Sequence, residues 1–128
     1  MIHESHWDIA WGDMDALGHV NNARFFEYFQ NARIQWLGEL GFHLPNSTGP
    51  VVAQISCNFH APLHSPARIC IRSWFYDPGH SSIGLAHELH HEQTCIANGD
   101  SRLVWLDYAR HQSIPIPDAI RNCVESKD

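Results

Sequence analysis

Basic charge is what this chain lacks first. Lys plus Arg number eight against fourteen Asp plus Glu, giving a formal net charge of −6, and Lys127 is the only lysine. Affinity for a phosphate backbone comes mainly from basic side chains, so nucleic acid is not expected as a partner. A lone lysine at the tail also removes any P-loop or Schiff-base lysine. No run approaches the roughly 18 apolar residues that a membrane span needs. Met1-Ile2-His3-Glu4-Ser5 lacks the basic and then apolar start of a secretory leader. The four cysteines, Cys57, Cys70, Cys95 and Cys123, form no C-x-x-C pair. That excludes a zinc ribbon or a thioredoxin-like motif and leaves reduced thiols in the cytoplasm as the expectation. No Gly-x-Ser-x-Gly elbow occurs, which removes the usual serine-hydrolase nucleophile.

What is present suits one globular domain spanning residues 1–128. Hydrophobic residues make up 44% and charged residues 17%, a balance that can fill a core. Residues 6–11 can form a short strand, and residues 12–18 read as a polar loop punctuated by glycine. Phe25, Phe29, Ala32, Trp36 and Leu40 then recur at spacings of three and four, with Phe26 and Leu37 widening the stripe. This predicts a helix over residues 23–40, capped by Asn21 or Asn22 and ended by Gly41.

Beyond the loop at 45–50 the period changes. Residues 51–59, 67–76 and 83–91 are strand-length segments set off by Pro and Gly, and Asp77-Pro78-Gly79-His80 is a hairpin turn signal. Residues 102–108 form a further apolar strand. Asn98-Gly99 reads either as a hairpin turn or as a bulge in a long bent strand over 94–108, whose turn would then fall near Glu92-Gln93. Pro115 and Pro117 close the regular structure. One helix against about five strands is an α+β arrangement, a curved antiparallel sheet covered by a single helix on one face. Its free edges and second face call for a homo-oligomer, a dimer or a tetramer.

The chemistry concentrates at Asp13-Met14-Asp15-Ala16-Leu17-Gly18-His19-Val20-Asn21-Asn22, an acidic loop running into the long helix. Helix N-termini present unpaired N–H groups and a positive dipole end, which can hold a developing oxyanion, and a carboxylate beside them can attack a carbonyl or activate water. The same residues also suit Asx turns and caps. The stretch resembles the signature of hotdog-fold acyl-CoA thioesterases of the 4-hydroxybenzoyl-CoA thioesterase type. Gly79-His80-Ser81-Ser82 is similar to that family's Gly-x-Ser-Ser turn. Leu103-Val104-Trp105-Leu106-Asp107 and Pro115-Ile116-Pro117 resemble its last strand and its ending.

The resemblance implies a hotdog fold and hydrolysis of an acyl-CoA thioester to free acid and CoA. It implies Asp15 as the catalytic carboxylate, acting as nucleophile or as general base, and the Asn22 backbone amide as the oxyanion contact. Asp13, Gly18, His19 and Asn21 would support the loop. Phe25, Phe26, Gly79, Ser81 and Ser82 would bind substrate, and Trp11 and Trp36 are further candidates for an acyl pocket beside a core or interface role. CoA is then part of the substrate, and no cofactor or metal is required. Two positions depart from the pattern. Asn22 stands where Tol–Pal-associated members carry histidine, and Ser65-Pro66-Ala67 replaces a common Gly-Asp. Arg68, Arg72, Arg102 and Arg110 are candidates for the CoA phosphates.

Two rival readings remain. A hotdog protein could bind acyl-CoA without turnover. Alternatively, His87-Glu88-Leu89-His90-His91 satisfies the His-Glu-x-x-His pattern of zinc hydrolases, which requires a helix. Ile83, Leu85, His87, Leu89 and His91 alternate as in a strand, where His87 and His91 would stand roughly 13 Å apart. That spacing favours histidines on a strand surface or an oligomer interface.

Overall fold

A computed structural model describes residues 1–125. The chain runs β1 (His3–Asp8), a short 3-10 turn (Trp11–Asp13), α1 (Asn22–Glu39), β2 (Thr48–Phe59), β3 (Arg68–Tyr76), β4 (Ser82–His91), β5 (Thr94–Asp107), β6 (Gln112–Ser113) and α2 (Asp118–Glu125). All pairings are antiparallel, in the order β1-β3-β4-β5-β2, with β6 on the end of β5. This is the hotdog arrangement, α1 lying in the concave face of the sheet.

The long helix forms where its stripe predicts. The Asn21 side chain accepts the Ala23 N–H at 3.0 Å, and Gly41, at φ +98°, ends it with the Phe42 N–H reaching the Leu37 carbonyl at 2.8 Å. Its buried face is Phe25, Tyr28, Phe29, Ala32, Trp36 and Leu37, while Leu40 is half-buried. Strands β3 and β4 alternate. Ile69, Ile71, Ser73 and Phe75 point inward from β3, and Ile83, Leu85, His87 and Leu89 from β4.

Two apolar clusters result. One, around Phe25, Tyr28, Phe29, Ile71, Leu89 and Ile96, lies toward the N-terminus of α1. The other, around Trp36, Leu37, Phe75, Leu85, Trp105 and Ile120, lies toward its C-terminus. Between them the cross-strand row Ser73, His87 and Gly99 brings polar groups and a bare backbone to the inner face.

Several expectations are corrected. The first strand is His3–Asp8 rather than 6–11, because Trp11 to Asp13 coil into the 3-10 turn. Pro115 and Pro117 do not close the regular structure. Pro117 precedes α2, whose Ile120 and Cys123 are buried in the second cluster. Of the two readings of Asn98-Gly99 the long strand is the one found, β5 running unbroken over Thr94–Asp107 after a turn at Glu92-Gln93, but its register shift against β4 falls at Leu89/His90 and not at Asn98-Gly99. Gly99 has a different reason. A Cβ there would stand 2.6 Å from the Phe29 ring, so the glycine admits that ring onto the sheet. His87 is not on the surface but 2% exposed, with its ring stacked at 5.0 Å on Phe29. Trp11 is 75% exposed and belongs to neither cluster, whereas Trp36 packs against Phe75.

Candidate functional site

The loop ahead of α1 is tied down at both ends. Met14 and Val20 form an isolated bridge, the Asp15 N–H donates to the His19 carbonyl at 2.8 Å, and the Val20 N–H donates to Leu63 at 2.7 Å. Gly18 takes φ +81° at the tip, a left-handed conformation that favours glycine. The loop therefore closes on itself, Asp15 bonding Leu17, Gly18 and His19, while Asp13 meets the helix start through Asn21 and Arg24.

The two aspartates have different partners. Asp13 Oδ2 accepts the Tyr28 hydroxyl at 2.7 Å and the Ala10 N–H at 3.3 Å, and its Oδ1 lies 3.7 Å from Arg24. Its backbone carbonyl accepts the Asn21 N–H at 2.9 Å. Burial, then the bond to Asp13, pushes the Tyr28 hydroxyl's pKa up, so it stays a donor. Asp15 is half-buried, and its Oδ1 accepts the Leu17 N–H at 2.9 Å as an Asx turn. Among the described residues its Oδ2 has no partner.

At the helix start the Ala23 N–H is taken by Asn21 and the Arg24 N–H by the Asn21 carbonyl at 2.9 Å. The Asn22 N–H has no partner among the described residues, so it remains free for an acceptor from outside. Asn22 opens onto a hollow of about 310 Å³ lined by His19, Val20, Phe25, Phe59, His60 and Leu63 among others. Phe25 packs edge-on against Phe59 at 5.2 Å. His19 meets His64 edge-on at 4.8 Å, and a 2.8 Å hydrogen bond joins His64 Nδ1 to the Gly18 carbonyl.

Not all expected residues meet here. Gly79, Ser81 and Ser82 lie in the β3–β4 hairpin, at the opposite end of the sheet from Asp15. There the Gly79 carbonyl accepts Arg121 at 2.8 Å and Ser82 accepts Arg102 at 3.0 Å. Phe26 lines a second hollow, one turn further along α1. The proposed CoA cations each face a carboxylate: Arg68 with Asp8, Arg72 with Glu4, Arg102 with Asp77 and Arg110 with Asp107.

The His-Glu-x-x-His stretch lies on β4, so the helical geometry that a zinc site of this pattern needs is missing. His90 bonds Glu88 at 3.1 Å, and His91 lies 3.5 Å from Glu92. The metal-ligand types that do cluster among the described residues are Glu4, His6 and Cys70, on the outer face of β1 and β3. Cross-strand register makes that group, and spacing along the sequence gives no signal of it. Sequence reasoning also missed Arg33, whose guanidinium pKa is lowered by burial and which has no partner among the described residues.

The fold, a curved antiparallel sheet around one long helix, is that of solved thioester hydrolases. A proposed thioesterase from Pseudomonas aeruginosa, the PA2801 protein, is 38% identical over 94% of this chain and 95% of that chain, with a TM-score of 0.91. The BH1999 gentisyl-coenzyme A thioesterase is 26% identical over 94% and 98%, with a TM-score of 0.85. A 1,4-dihydroxy-2-naphthoyl-CoA thioesterase from Synechocystis shares the fold at 16% identity, over 98% and 97%, with a TM-score of 0.88. The sequence pattern of the thioesterase-like superfamily matches residues 9–124, and the chain belongs to that family.

Proposed function

We propose that this thioester hydrolase cleaves acyl-CoA, with Asp15 as its catalytic carboxylate and the Asn22 N–H as its oxyanion contact. The observation that carries the reading is one short tethered loop that holds, among the described residues, a carboxylate oxygen without a partner on Asp15 and leads into an unpartnered helix N-terminal N–H on Asn22. The N–H and the dipole behind it stabilise negative charge on the carbonyl oxygen as the carbon becomes tetrahedral. Asp15 either attacks that carbon, forming an anhydride as the thiolate leaves, or takes a proton from the attacking water. A thiolate leaves without a strong general acid, so sparse machinery suffices. Tyr28 and Arg24 hold Asp13, and Asp13 in turn holds the Asn21 N–H, which fixes the approach of loop to helix.

The reading includes a homo-oligomer built on β2. This edge strand exposes Val51, Val52, Ile55 and Phe59 beside a row of backbone groups that β5 does not use. An apolar open edge of this length invites pairing with a second copy. Antiparallel pairing about a twofold axis would reverse the ends of the partner's sheet, carrying its Gly79–Ser82 turn to the end where Asp15 lies. CoA is substrate here rather than cofactor, and the cytoplasm is the compartment that supplies it.

The test is thiol release from short, long, branched and aromatic acyl-CoAs by wild type and by Asp15→Asn. Turnover by wild type that falls at least about 100-fold in the variant, with circular dichroism unchanged, supports the reading. Equal rates would overturn the role of Asp15. Binding of acyl-CoA without any thiol release would favour a non-catalytic acyl-CoA-binding protein.

A further inference from the structure

The second hollow, about 210 Å³, lies between α1 and β2 and is built from Phe26, Phe29, Val52 and Ile55, with Arg33 and His87 as its polar members of interest. It begins one helical turn past Asn22; both hollows are lined by residues of α1 and β2, and they share no lining residue. Two polar groups in it are unanswered. Among the described residues His87 Nε2 is fully buried without a partner, on a ring held between Phe29 and Ser73. The Arg33 guanidinium, half-buried, makes no ion pair or hydrogen bond among the described residues; Asp100 lines the same hollow, and one of its oxygens accepts the Tyr76 hydroxyl.

The hydrogen-bond count fixes the sense of the histidine. Ser73 Oγ is fully buried, and its partner is His87 Nδ1 at 2.7 Å. If Nδ1 carried the proton, the Ser73 hydroxyl hydrogen would be left without an acceptor, at the cost of desolvating it. The hydroxyl therefore donates to Nδ1, and the proton of the neutral ring sits on Nε2. A donor and a cation then line the hollow together with Gln30, Ser56, Asp100 and Ser101, and among the described residues none of these bonds His87 Nε2–H or Arg33, so both are left without an acceptor.

We infer that this hollow takes the far end of the acyl group, and that this end bears an oxygen acceptor, a hydroxyl or a carboxylate, held by His87 Nε2–H and Arg33. The inference rests on the acyl-CoA reading above and deepens it by naming the substrate class. Phe29, on which His87 stacks, stands seven residues beyond Asn22, about 10 Å along the axis. An extended chain of roughly eight carbon–carbon bonds of about 1.5 Å spans that distance. His87 and Arg33 act here as specificity-determining residues. Neither is asked to touch the reacting carbon.

Calorimetric binding of octanoate, 8-hydroxyoctanoate and suberate to the purified protein tests this without requiring turnover. The oxygenated acids should bind at least tenfold more tightly than octanoate, and His87→Phe should bring the ratios toward one. Arg33→Met should remove the advantage of suberate while leaving that of the hydroxy acid, which separates the two oxygen sources. Equal affinity of wild type for all three acids would overturn the inference even if one of the variants fails to fold. The corresponding CoA thioesters then report separately. Thiol release without preference among them counts against the pocket alone, and no thiol release from any acyl-CoA counts against the hydrolase reading alone.

Discussion

Acid should destabilise this protein through one histidine. His87 is buried against Phe29, and desolvation, followed by the nearby positive charge of Arg33, lowers its pKa to about 3 from an ordinary 6.5. The folded value lies below the unfolded one, so the unfolded chain binds the proton first. Stability is then fully present above about pH 6.5 and falls as the pH drops toward 3. The slope between those limits is about 1.4 kcal/mol per pH unit, which comes to about 2 to 3 kcal/mol between pH 6 and pH 4. That is a large share of the 5–15 kcal/mol typical of a domain.

The perturbation is His87→Leu combined with Ser73→Ala, which removes the titrating ring without stranding the hydroxyl. Urea unfolding followed by tryptophan fluorescence at half-unit steps from pH 7.5 to 4 gives both curves. The difference between the proteins, not their absolute stability, carries the information, since every other titrating group is common to both. The curves should run parallel above pH 6.5, and the wild type should lose the extra 2 to 3 kcal/mol below it. Curves that stay parallel to pH 4 would show that the ring takes up its proton in the folded state and would refute the burial argument.

Three further outcomes follow from named contacts. Gly99→Ala should cost about 1–3 kcal/mol in urea unfolding, because the new Cβ meets the Phe29 ring at 2.6 Å and must push it off His87; an unchanged midpoint would mean that the ring is free to move. Asn21→Ala should cost about 1 kcal/mol by the same assay, for loss of the cap on the Ala23 N–H. Ile55→Lys should dissociate the proposed oligomer in sedimentation without unfolding the chain, and an unchanged sedimentation coefficient would place the contact elsewhere than β2.

The helix and the meander were legible in the sequence because their signals are local. The spacing of Phe25, Phe29, Ala32 and Trp36 admits one period, and the alternation through His87 admits only a strand. What escaped depends on partners distant in the chain. Gly99 looked like turn punctuation because the ring it makes room for, Phe29, lies far back in α1. α2 was hidden behind two prolines, although Pro117 stands directly before its first residue, a position where proline is at home. At the site, Asp15 and Asn22 stood out through the motif. The distinction between Asp13, held by Tyr28, and Asp15, with one oxygen unclaimed, needed coordinates. Arg33 gave no signal at all, since its interest lies in a partner that is missing.

The strand order also dictates a sequence of assembly. β3, β4 and β5 are joined by tight turns and can zip together from neighbouring residues, whereas the two outer strands must come from afar. His3 pairs with Ser73 only after α1 and β2 have been looped out, and Thr48 pairs with Asp107 only across the whole meander. Closing such loops is slow, which puts this chain among the domains that fold in milliseconds to seconds. β2 is then a late arrival. Substitutions along it should leave the folding rate nearly untouched and appear as faster unfolding, so that the edge assigned to a second copy is also where the lifetime of the folded chain is set.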